Sequence, residues 1–89
     1  MSKKIFKYQL ETTSIQEIEM PQGSEILCIQ TQNGIPCIWA LVEQNATVTK
    51  RKFLIVATGH SLPKNRNIKY IGTYQLSDGR MVFHCFENL

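Results

Sequence analysis

The chain has 89 residues, 43% of them hydrophobic and 19% charged. That is the composition of one small globular domain, residues 1–89, and lies far from that of a disordered chain. The net charge of +3 is too small to point to nucleic acid as the partner, and no apolar stretch is long enough to cross a bilayer as a helix.

A chain this short buries only about 60–65% of its unfolded surface. Small domains make up the deficit with a metal, disulfides or self-association. Cys28, Cys37 and Cys85 form an odd set without CxxC spacing, inside apolar stretches, and read as free thiols in a reducing cytoplasm. Two distant histidines and scattered thiols match no zinc pattern, so neither metal nor cofactor is expected. A homo-oligomer is. The N-terminal MSKKIFKYQL has positive charge but no continuous apolar segment, so it does not read as a signal peptide.

In chain order, residues 5–10 alternate Phe6, Tyr8 and Leu10 with Lys7 and Gln9, as a half-buried strand does. After the turn residues 12–14, Ile15, Ile18 and Met20 mark a weaker strand that Pro21 and Gly23 close. Residues 25–32 follow, with Leu27 and Ile29 expected on one face and Ile26 and Cys28 on the other. Asn33-Gly34 readily adopts the positive φ angles of a tight hairpin, and residues 36–42 return. Pro36 suggests an edge strand or a strand start.

Residues 51–61, RKFLIVATGHS, are the centre of the chain. Phe53 to Ala57 is an unbroken apolar run, the pattern of a strand covered on both faces, although a buried helical turn has the same pattern. After the loop 61–67, residues 68–76 read as a strand with Tyr70 and Tyr74 on the same face. Gly72 between them marks a bulge or a close approach of another group. The Asp78-Gly79 turn leads into residues 80–87, with Val82, His84 and Phe86 on one face and Met81, Phe83 and Cys85 on the other. About seven short antiparallel strands make an all-β fold, a small β-sandwich or a partly open barrel.

The polar corner Thr58-Gly59-His60-Ser61 is the best candidate for ligand binding. Gly59 lets backbone N–H groups come close to a ligand, Thr58 and Ser61 add hydroxyls, and His60 can donate or accept near neutral pH. Arg51 and Lys52 lie about 20 Å away along the strand, so Lys64 and Arg66 or a neighbouring subunit must bring charge to an anion. Tyr70, Tyr74 and Trp39 are candidates for stacking. Each feature also has a plainer reading: a strand-ending turn with an exposed histidine, cross-strand tyrosine packing, a core tryptophan. His84 reads as a core or edge histidine held by a hydrogen bond. The carboxylates fall mostly in turns or on polar faces, and Walker-type or dinucleotide glycine loops are absent, so catalysis is not expected.

The phrases KYQLE, IEMPQGSEIL, QTQNGIPCIWALVE, RKFLIVATGH, YIGTYQL and MVFHCFE, in that order, resemble a small uncharacterised protein family carried by bacteriophages and prophages. The resemblance runs from Lys7 to Glu87. It implies a phage origin and a place of action in the cytoplasm of the infected bacterium. Among small phage proteins that counter host defence, one strategy is an oligomeric sponge that sequesters a nucleotide immune signal without cleaving it. The leading expectation is therefore a non-enzymatic protein binding a small anionic ligand such as a signalling nucleotide. The alternative is a protein–protein interaction module that inhibits a host protein or assists phage assembly.

Overall fold

The computed structural model describes residues 2–64 and 66–89. Seven strands follow one another: β1 (Lys3–Gln9), β2 (Ile15–Pro21), β3 (Glu25–Gln32), β4 (Ile35–Glu43), β5 (Val48–Ala57), β6 (Ile68–Leu76) and β7 (Met81–Asn88). They form a three-stranded sheet, β1-β4-β3, and a four-stranded sheet, β2-β5-β7-β6. Every pairing is antiparallel. This is the all-β sandwich that the spacing of turn signals predicts. No helix is long and apolar enough to cross a membrane.

The core lies between the sheets. Ile29, Ile38, Ala40 and Val42 come from one sheet, and Met20, Phe53, Ile55, Tyr74 and Cys85 from the other. β5 explains its own unbroken apolar run. Phe53 and Ile55 point into this core, while Leu54 faces outward yet is only 1% exposed. The loop after β5 covers it, with Leu62 and Pro63 lining a hollow against Leu54 and Val56. The strand is thus buried on both sides.

The β3–β4 hairpin turns through Asn33 and Gly34, at φ of 52° and 78°, the paired positive angles that favour Asn-Gly there. Pro36 sits at the start of β4, as one of its two readings requires, but β4 is the central strand and not an edge. The site tolerates proline because the Leu10 N–H donates to the Pro36 carbonyl at 2.9 Å, just past the end of β1. The donor that proline lacks would have served only the reciprocal bond of that last pair.

Two bulges overturn two face assignments. The β3–β4 register shifts between Ile26 and Cys28, so Ile26 and Ile29 both face the core, opposite Ala40 and Ile38. Cys28 lies opposite Trp39 on the outer face. A second shift, between Tyr70 and Gly72, puts Tyr70 opposite outward Phe86, and Tyr74 opposite inward Phe83. The two tyrosines therefore occupy opposite faces, because an inserted residue reverses the alternation. At Gly72 both sequence readings hold: the bulge adjoins it, and a Cβ there would come within 2.8 Å of Ile29 Cγ2 on the other sheet.

Not all carboxylates lie on polar faces. Glu87 is buried, and Arg51 grips it through Nε and Nη2 (2.5 and 2.9 Å) while Nη1 donates to the Ser24 carbonyl at 2.6 Å. All three thiols are free. Burial, with Glu87 adding to it, pushes the Cys85 thiol up to about 12.

Candidate functional site

The polar corner is built by a turn. β5 ends at Ala57, whose carbonyl accepts the His60 N–H at 3.1 Å. Gly59, at φ 89°, fills the third turn position, where a type II turn needs a positive angle. The Thr58 N–H donates to the Val82 carbonyl at 3.1 Å, tying the turn to β7.

Beside this turn, on the outer face of the four-stranded sheet, lies a hollow of about 210 Å³. Thr58, Gly59, His60, Leu62, His84 and Phe86 contribute to its lining. Strand register brings these distant residues together: His84 pairs with Val56 on one side and Thr73 on the other, and Phe86 with Leu54 and Tyr70.

Both nitrogens of His84 are engaged. Nε2 lies 2.7 Å from Thr58 Oγ1, and Nδ1 lies 2.8 Å from Thr73 Oγ1, which in turn meets the Tyr70 hydroxyl. The polarity follows the tautomer of the ring. With the proton on Nε2, Thr58 accepts from His84 and donates to the Val82 carbonyl at 3.4 Å, and Nδ1 accepts from Thr73. With the proton on Nδ1, Thr58 donates to Nε2 and Thr73 accepts from Nδ1–H. The ring is held between two strands, with its orientation fixed from both sides.

Thr58, Gly59 and His60 thus line the hollow as the sequence suggests. Ser61 lies next door, in a hollow of about 290 Å³ with Leu62 and Pro63. Tyr70 joins through Thr73 and tilts against Phe86, ring centroids 5.5 Å apart. Lys64 and Arg66 are exposed on the loop 61–67 and line neither hollow. Tyr74 does not belong here, being 4% exposed in the core and stacked on Phe83. Nor does Trp39: it alternates with core residues Ile38 and Ala40, half-buried on the outer face of the other sheet.

His84, Thr73, Phe86 and Leu62 were not among the expected site residues. The alternation that puts Val82, His84 and Phe86 on one face was a usable signal for joining His84 to Phe86. What the sequence withholds is the register that lays His84 between Thr58 and Thr73.

Two roomier clefts carry less suitable chemistry. One of about 690 Å³, between the ends of β3 and β6, has Asp78 as its only charged lining residue. The other, of about 510 Å³, contains Arg51 and Lys69, but Glu87 already neutralises Arg51. Among the described residues no cluster of three or more His, Cys, Asp or Glu side chains could hold a metal.

Comparison with curated proteins and with solved structures finds no match. A family model described as a domain of unknown function, DUF7352, matches residues 1–89. The chain therefore belongs to the DUF7352 family.

Proposed function

We propose that this protein is a non-enzymatic phage accessory protein that binds a small anionic ligand at the His84 hollow, acting as a homo-oligomer in the cytoplasm of the infected host. A nucleotide immune signal, sequestered rather than cleaved, is the ligand class that suits it. The observation carrying this reading is the two-sided fixation of His84 beside a glycine turn. An oriented imidazole, turn backbone and the aromatic pair of half-buried Phe86 and exposed Tyr70 offer hydrogen bonds and an apolar surface to one ligand.

Among the described residues the hollow's lining includes no permanent cation, so Lys64 and Arg66 on the flanking loop would supply charge to the ligand. Binding rather than turnover is favoured by the partners of His84. A nucleophile–base pair is normally oriented by a third group, often a carboxylate that stabilises the imidazolium. Here that position belongs to the neutral Thr73 hydroxyl, with no carboxylate on the ring.

Thermal-shift screening against signalling nucleotides tests the proposal. A stabilising compound that is recovered chemically intact supports it; no shift from any compound in a folded sample counts against it. Affinity capture from host lysate separates the rival reading, because a stoichiometric host protein would favour an interaction module.

A further inference from the structure

Pairing and alternation define what the three-stranded sheet shows to the outside. Because Ile38, Ala40 and Val42 point into the core, Cys37, Trp39, Leu41 and Glu43 point away from it. Across β4 the register aligns Lys3 with Glu43, Ile5 with Leu41 and Glu25, and Lys7 with Trp39 and Cys28.

The centre of this face is apolar. Ile5 is 61% exposed, and Trp39, Leu41 and Cys28 are only partly covered. A tryptophan at the middle of such a patch, bordered by polar groups, is how interface anchors are placed. The border is asymmetric: the β1 side carries Lys3 and Lys7, and the β3 side carries Glu25. None of these three, nor Glu43, forms an ion pair among the described residues. Lys7 instead reaches over β4 to donate to Gln32 Oε1 at 2.6 Å.

We infer that this face is where two copies of the chain meet, through a twofold axis lying between the faces and running along β4. That operation lays β1 of each copy over β3 of the other, at the same height along the strands. Lys3 and Lys7 of the second copy then bracket Glu25, which shares its row with Ile5. Trp39 and Leu41 meet their own counterparts on the axis. The alternative twofold, perpendicular to the strands, sets each lysine edge against the other and is disfavoured by like-charge repulsion. A second copy fits because this operation lays the lysine edge of each copy over the Glu25 edge of the other with the apolar centre on the axis, while Glu43, beside its counterpart on the axis, is flanked by Lys3 of both copies. The inference gives the oligomeric part of the proposed function its interface and is independent of the ligand, since the His84 hollow is on the outer face of the other sheet.

Sedimentation velocity over the micromolar range tests it, with Trp39, the only tryptophan, as a fluorescence reporter. The wild type should be a dimer whose Trp39 emission changes on dilution, and Ile5→Lys should be a folded monomer by circular dichroism. Glu25→Lys alone and the pair Lys3→Glu/Lys7→Glu should each weaken association by about tenfold or more. Combining all three reversals should restore the dimer. A wild type that stays monomeric overturns the inference, and so does a dimer that neither Ile5→Lys nor any charge reversal weakens. Ligand binding measured on the Ile5→Lys monomer reports on the hollow separately, so failure of one reading is not failure of the other.

Discussion

Thr58 Oγ1 and His84 Nε2 lie 2.7 Å apart although 26 residues separate them in the chain. The β5–β7 register sets this distance, and Thr73 completes it from β6. Replacing Thr73 with valine keeps the shape but removes the hydroxyl bonded to Nδ1. We expect Thr73→Val to cost about 1 kcal/mol of stability, the worth of one ordinary hydrogen bond. It should weaken ligand binding about tenfold in calorimetric titration, because the imidazole is no longer oriented.

Gly72 should tolerate no side chain. The Cβ of alanine would meet Ile29 Cγ2 at 2.8 Å, and two packed sheets cannot both yield. Gly72→Ala should lower stability by about 1–3 kcal/mol in urea unfolding. In an Ile29→Ala background the same change should cost much less, since the clashing methyl is gone. Equal cost in both backgrounds would remove the clash as the cause.

The Arg51–Glu87 pair should behave as a unit. Its side chains are 20% and 8% exposed, so Glu87→Gln leaves a guanidinium without its counter-charge in a mostly buried site. A loss of about 3 kcal/mol is expected. The double replacement Arg51→Met/Glu87→Leu should be clearly milder than the single, because it leaves no unpaired charge.

Alkaline pH should destabilise the fold through Cys85. Burial raises its folded pKa to about 12 from an ordinary value of 9.0, so between these values the unfolded chain holds fewer protons than the native one. Stability is unaffected by this group below about pH 9 and falls as pH rises toward 12. Tyr74, whose hydroxyl burial also pushes up, acts in the same direction. Cys85→Ala should flatten the decline in melting temperature over that range; an unchanged slope would assign it to other groups.

Much of the architecture was legible because its signals are local. Asn33-Gly34 and Asp78-Gly79 carry their own turn preferences, and the alternation in β1 and β7 announces faces directly. The failures came where one inserted residue reversed a period-two pattern. The bulges at 26–28 and 70–72 moved Ile26 inward and Tyr70 outward; Gly72 marked the second as a possibility, but no residue type advertised the first. The site was half legible for the same reason. Thr58, Gly59 and His60 are contiguous, whereas His84, Thr73 and Phe86 join them only through strand pairing. The Arg51–Glu87 pair was not legible, because its partners are 36 positions apart.

The most direct test of ligand binding at this site is an amide chemical-shift titration of the labelled protein with signalling nucleotides. A ligand in the His84 hollow should move the Gly59, His60 and His84 amides in a saturable way, leave Trp39 and Leu41 unmoved, and lose its effect in Thr73→Val. Shifts confined to the Trp39 face, or a well-dispersed spectrum that no compound perturbs, would contradict the proposed function.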